Sequence, residues 1–576
     1  MKKEVKKCQN CKNKFVIESE DFEFYEKMKV PAPTWCPECR AKRRMSFYNI
    51  NTLYKRKCDK CGKKTISIYD QDTKFPVYCP ECWWADDWDA EEYAKNYDWN
   101  KTFWEQYQSL LNEVPKPAVE VDYLKMINSP YVNACSALKN CHWVFLASPS
   151  ENVSYAFSIG DIKDSMDLTN VAMSEKSYFI FNGFRIYNSS YLVNCGDCLN
   201  VHFSRDLKNC HDCFGCVNLR NKSYCFFNEQ FSKEEYQRNI KEINLGSHQV
   251  VEEMRRRMVK MFLTAPVKYY NGYNNENVSG DYIWNSKNVQ SGYGIESGEN
   301  IKYSQMLEMG PVKDCYDYTS RGDNARQMYE VSHAGENVAN IKFTNGAWYS
   351  YNIEYSDNAL HSHDLFGCVF MRKKEYCILN KKYSKEEYLQ MVERVKKQMD
   401  AEPYVDQQGK AYKYGEFFSP ELSPFAYNES IAREYYPLGR GEVEEEGYIW
   451  KKTKERGYKM TLKTEDIPDN IKEVDDSILR QIIQCATRLE EREKNNCTEA
   501  FRITAKELDF YRKMDIPLPR HCPNCRHMER LKNRNPLKLY KRTCMKEGCD
   551  VEFETTYAPE RKEIVYCEKC YNEKVG

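Results

Sequence analysis

A stretch near the start of the chain returns near its end in the same register, and both copies carry cysteine pairs at metal-ligand spacing. Residues 15–58 align without a gap on 501–544, with 19 of 44 positions identical from Phe15 and Phe501 through Cys58 and Cys544. The identities include Phe24, Tyr25, Pro31, Pro33, Cys36, Cys39, Arg40 and the run Leu53-Tyr54-Lys55-Arg56. This duplication constrains the fold most, because four thiolates closing on one ion organise segments too short to bury a core of their own.

The N-terminal copy offers two quartets, Cys8, Cys11, Cys36 and Cys39, then Cys58, Cys61, Cys79 and Cys82. In the first, a short strand, an amphipathic helix and a Cys36-Pro37-Glu38-Cys39 knuckle leading into a second helix read as treble-clef-like. In the second, two β-prone runs flank a turn between the knuckles, the pattern of a zinc ribbon. At the other end Cys544, Cys549, Cys567 and Cys570 form the matching ribbon, with two extra residues inside the first knuckle. There Cys497, Cys522 and Cys525 match Cys11, Cys36 and Cys39, but Lys494 stands where Cys8 should be matched. Cys485 is the expected substitute, and His521 a weaker one. Four structural Zn²⁺ sites are therefore expected, closed and without a free position for substrate.

Basic residues interleaved with aromatics lie around the knuckles: Arg40, Arg43, Arg44, Lys55 and Arg56 at one end, Arg526, Arg530, Arg534, Lys541 and Arg542 at the other. Such surfaces suit a phosphate backbone with stacked bases, which makes RNA or a ribonucleoprotein the expected partner. In the alternative, the cations balance the dianionic thiolate groups and other proteins are the partners. Overall charge gives no help, since 86 Lys and Arg balance 86 Asp and Glu.

Between the modules a triplet recurs: a charged residue, Asn or Asp, then a small or apolar residue. It runs Lys139-Asn140-Cys141, Glu151-Asn152-Val153, Lys163-Asp164-Ser165, and again Glu276-Asn277-Val278, Lys287-Asn288-Val289, Glu299-Asn300-Ile301. A step near twelve residues fits one strand plus one turn of a β-solenoid, with two units per coil. The two series end alike: Asp212–Tyr236 matches Asp364–Tyr388 at 15 of 25 positions, closing with Ser232 or Ser384 three before Glu235 or Glu387, a capping box. Cys195, Cys198, Cys210 and Cys213 mimic a further metal site, but Cys210 holds the repeat's inward position, so packed thiols are expected there. Five tryptophans between Trp83 and Trp104 mark a strap docking the first module on the centre.

The 27 cysteines, the start MKKEVKKCQNCKNKF without an apolar h-region, and the lack of any run long enough to span a bilayer point to a thiol-reducing, cytoplasmic setting without membrane contact. The FYxKM, PxPxxCPxCR, LYKRxC and VYCxxC elements of the modules, with FGCVxxRxKxYCxxN and SKEEY of the centre, resemble an uncharacterised multi-zinc-ribbon protein family of small-genome bacteria. The resemblance implies zinc modules and supplies no activity.

The expected fold is multi-domain and mainly β, with zinc-ribbon and treble-clef modules at both ends of a β-solenoid-like repeat region with helical caps and linkers. Its parts are a double zinc module over 1–84, a tryptophan-rich helical strap over 85–127, and a first repeat segment over 128–231 with a helical cap over 232–265. A second repeat segment over 266–383, a helix and linker over 384–480, and a second double zinc module over 481–576 follow. No P-loop, HExxH or GxSxG pattern is present, so a non-catalytic binding or scaffold protein is expected. An enzyme would need a site in the repeat region, at His361 and His363.

Overall fold

The computed structural model describes residues 3–452 and 457–576. Two ladders occupy the centre, parallel except for an antiparallel last strand in each, one of nine strands reaching from Val132 to Gln230, the other of fourteen from Gly272 to Lys382, and cysteine-bearing two-stranded hairpins lie toward both chain ends. The protein is mainly β. No helix among the described residues is long and apolar enough to cross a membrane.

The first ladder follows a rule of three. Every member of its core, from Val132 and Cys135 to Cys216 and Cys225, sits a multiple of three from the next. Ser150, Ser165, Ser174, Ser177, Ser189 and Ser204 fill gaps in that series. The residue before each inward position turns left-handed: from Asn152 to Asp212 every third residue has φ between 45° and 58°. Partners on adjacent strands lie twelve apart, as in Leu168 with Ile180, Ile180 with Leu192 and Cys198 with Cys210. Four triplets therefore separate a residue from its partner. The expectation of two twelve-residue units per coil is corrected, since each unit pairs directly with the next.

A left-handed corner costs a non-glycine residue roughly 1–2 kcal/mol, and the sequence offsets this in two ways. Asn and Asp tolerate the conformation best, and their amides form columns: Asn128 Nδ2 to Asn140 Oδ1 (2.9 Å), Asn140 to Asn152 (3.2 Å) and Asn152 to Asp164 (2.8 Å). Inward serines accept the amide of the residue twelve on, as Ser189 from Val201 and Ser204 from Cys216, both at 3.0 Å. Inward cysteines behave similarly, each thiol donating to the carbonyl two residues back, Cys195 to Val193 and Cys198 to Gly196. Cys195, Cys198, Cys210 and Cys213 are buried packing thiols, and none belongs to a four-ligand group among the described residues.

The second ladder keeps the twelve-residue step at its C-terminal end, Tyr351 to His363 to Glu375. It loosens in the middle: Glu299 pairs with Lys313, fourteen on, and Lys313 with Arg326, thirteen on. Helices cover the ends. Ser232 accepts the Glu235 amide (3.2 Å) while the Glu235 carboxylate takes the Ser232 amide (3.0 Å), starting Lys233–Lys241, and Ser384 with Glu387 starts Lys385–Ala401 in the same way. The strap helix Phe103–Glu113 packs on the second ladder, Phe103 meeting Tyr355 and Phe366 edge-on.

The corner argument makes a specific prediction for Asn188, whose φ is 46° and whose amide donates to Asn200. Asn188→Ala loses both the bond and the tolerated conformation, whereas Asn188→Gly loses only the bond. Urea unfolding should place the alanine variant about 1 kcal/mol below the glycine variant, and equal midpoints would contradict the account.

Candidate metal centres and the docking of the terminal modules

Each quartet is assembled by the same local device. The third cysteine, Cys36, Cys79, Cys522 or Cys567, is the N-cap of a short helix, and three of the four helices begin with proline. Proline fits the first helical position because its missing amide has no partner there. The amide of that capping cysteine donates to the first sulfur of its group: Cys36 to Cys8, Cys79 to Cys58 and Cys522 to Cys485 at 3.2 Å, Cys567 to Cys544 at 3.3 Å. Helix N-termini and amide donors favour anionic sulfur.

In all four groups the sulfurs lie within 4.8 Å of one another. The separations of Cys11 and Cys36 (3.7 Å), Cys61 and Cys79 (3.8 Å), Cys497 and Cys522 (3.9 Å) and Cys549 and Cys567 (4.0 Å) exclude a disulfide, which needs about 2.05 Å. Sulfurs about 2.3 Å from a tetrahedral ion would stand about 3.8 Å apart. The groups can hold metal ions. Cys485 completes the third one, replacing the ligand lost at Lys494, while His521 stays outside it and meets Thr487 Oγ1 at 3.1 Å.

Six of the ten basic residues read as nucleic-acid contacts lie inside the protein. Arg40, Arg43, Arg44, Arg56, Arg526 and Arg530 are all buried, Arg43, Arg44 and Arg530 completely. Their guanidinium groups face the interior of this fold. Arg40 Nη2 meets Asp317 Oδ2 (2.7 Å), Arg44 Nη1 meets Asp317 Oδ1 and Glu330 Oε2 (both 3.1 Å), and Arg43 bridges Glu330 (3.0 Å) and Glu416 (3.2 Å). Three guanidiniums thus face three carboxylates. Burial disfavours the Arg40 cation, yet Asp317 together with the neighbouring Tyr25 and Tyr329 outweighs it and pushes its pKa above the ordinary value. Arg56 folds back on its own ribbon, bonding Asp59, the Asp70 carbonyl and Thr73.

The C-terminal module repeats two of these three arginine contacts on the other ladder, with Glu529 standing at the position of Arg43. Arg526 and Arg530, aligned with Arg40 and Arg44, both meet Asp167, at 3.1 and 2.7 Å. Arg530 Nε donates to Thr169 (3.1 Å) as Arg44 Nε does to Thr319 (3.3 Å). Arg526 also donates to the His521 carbonyl, and Arg40 to that of Trp35. The receptor is an Asp-x-Thr element in each ladder, Asp167-Leu168-Thr169 and Asp317-Tyr318-Thr319. Sequence reasoning missed these aspartates and threonines, although their inward neighbours follow the same triplet rule.

Each ribbon then grips the segment leading into the opposite ladder. Val77 and Tyr78 pair in parallel with Lys116 and Pro117, just ahead of the first ladder, and Val565 and Tyr566 with Val267 and Lys268, just ahead of the second. Both terminal modules touch both ladders, since Asn133 of the first ladder donates to the Asn49 and Ile50 carbonyls and Asn535 donates to Asp281 of the second.

Of the remaining basic residues, Lys55 and Lys541 are exposed. Arg534 lies over the Tyr435 ring and Arg542 donates to the Ala558 carbonyl. His361 and His363 stack on Tyr349 and Tyr351, and His363 is bonded to Asp364 and Glu375. No family model matches the chain, and no curated protein matches it.

Removing one carboxylate should expose how much the docking matters. Asp167→Ala leaves two buried cations short of a partner and should cost about 3–5 kcal/mol, read as a fall in unfolding midpoint. The triple variant Asp167→Leu with Arg526→Met and Arg530→Met should recover most of that loss. A surface-like cost below about 0.5 kcal/mol for Asp167→Ala would contradict the contact.

Proposed function

We propose that this chain is a non-catalytic binding scaffold of a thiol-reducing, cytoplasmic setting, stabilised by four structural zinc ions and built on two β-solenoids of four triplets per turn. Zinc is the assigned ion because four thiolates at tetrahedral spacing select a soft, closed site. Bound there, it would supply folding free energy of about 10 kcal/mol or more per site. The chain's own residues do the rest: the capping cysteines orient the sulfurs, and the knuckle helices carry arginines into the ladders.

The observation that carries this reading is the burial of the knuckle arginines against Asp167 and Asp317. Those residues were the main argument for RNA, and their internal pairing turns the modules into clamps. The exposed flanks of the repeat then offer the binding face, and proteins are the favoured partners. Among the candidate basic residues Lys55 and Lys541 are left exposed, too thin a charge for a counterion-release surface.

Two measurements test the proposal. Native protein should carry four zinc ions per chain, and cobalt substitution should give the intense charge-transfer bands of tetrathiolate coordination. Zinc-free native protein would overturn the metal assignment. Gel shifts with single-stranded RNA at low salt should show no specific retardation, whereas tight, salt-dependent binding lost in the Lys55→Glu and Lys541→Glu double variant would replace the protein-scaffold reading with the RNA one.

A further inference from the structure

We propose that the cleft between the N-terminal ribbon, the strap helix and the second ladder binds a small planar aromatic molecule presenting a hydrogen-bond donor beside an acceptor, as an aromatic carboxamide or a lactam ring does. The cleft holds about 560 Å³ and contains none of the sixteen clustered cysteines. Its size falls in the range of small-molecule sites, about 300–1,000 Å³. The inference is independent of the metal.

The floor is polar and built. Lys116 and Asp357 are both buried, with Nζ 3.2 Å from Oδ2. Asp357 Oδ1 accepts from Asn345 Nδ2 and Asn358 Nδ2, each at 2.9 Å. This bond fixes the Asn345 amide, whose Oδ1 is buried with no hydrogen-bond partner. An orphaned acceptor of this kind costs about 1–3 kcal/mol. The Lys116 ammonium has three N–H donors and lies 4.8 and 5.3 Å from the centres of the Phe75 and Phe370 rings. The residues that carry this acceptor and this cationic donor line one cavity, and a ligand edge of opposite pattern would complement them.

The walls select the rest of the molecule. Tyr69 stacks on Phe425 (5.1 Å, 8°) and Tyr107 on Phe418 (5.3 Å, 5°), and Phe47 and Leu111 complete the apolar lining. Flat rings enclose flat guests well, since offset and edge contacts add about 0.5–1.5 kcal/mol beyond burial. A ring donor would reach Asn345 Oδ1 and its neighbouring carbonyl would accept from Lys116.

The test uses the full chain with benzamide and guanosine as probes, by saturation-transfer NMR and calorimetry, and N,N-dimethylbenzamide as the probe lacking a donor. At least one of the first two should bind, the dimethyl compound at least tenfold more weakly than benzamide, and Asn345→Ala should weaken binding at least tenfold. Leu111→Trp, placed to fill the cleft from the strap helix, should abolish binding while leaving the unfolding temperature within about 2 °C. It decides the matter if the Asn345 variant does not fold. Absence of binding by both probes at millimolar concentration, equal affinity for the dimethyl compound, or binding that survives Leu111→Trp would overturn the proposal.

Discussion

Two guanidinium groups on one face of a short helix, driven into a parallel ladder and closed on a single aspartate, are the interaction on which the rest of this structure depends. It occurs twice, with Arg40 and Arg44 on Asp317 and with Arg526 and Arg530 on Asp167. A charge taken out of water must be paired or it is strongly destabilising. The contact is therefore all-or-none: a knuckle helix either seats in register with its Asp-x-Thr element or leaves two cations stranded. What positions the helix is the cysteine that caps it, tying the register of the arginines to the closure of the thiolate group.

The connectivity extends that local rule to the whole chain. The first module seats its arginines on the second ladder and pairs its ribbon with the lead-in to the first, and the last module does the converse. Ends of the sequence almost 500 residues apart are thus held on the same pair of ladders. The looser register of the second ladder between Glu299 and Ala339 coincides with the strands that present Asp317 and Glu330. Three arginines meet Asp317 and Glu330 there, whereas the first ladder, with Asp167 facing two arginines, keeps its step of twelve.

Much of this was legible in the sequence, for identifiable reasons. Cysteine spacing has few structural solutions, so the four groups of clustered cysteines, including the displaced Cys485, could be drawn up before any geometry. The twelve-residue step was visible because Asn140, Asn152 and Asp164 belong to the residue types that tolerate a left-handed corner. The three-residue subdivision was hidden because Trp143, Tyr155, Phe179 and Phe203 adopt the same corner, and aromatic side chains carry no such signal. The burial of the arginines was not legible because a guanidinium beside aromatics reads as a surface feature, while its burial depends on a carboxylate more than 250 residues away.

Hydrogen exchange on the intact protein, compared before and after treatment with a chelator that would strip metal from the cysteine groups, tests most directly whether the terminal modules hold the ladders. The account predicts that removing metal lowers protection not only in the modules but also around residues 164–172 and 312–331, where the arginines seat. Ladders whose protection is unchanged while the modules unfold would contradict it.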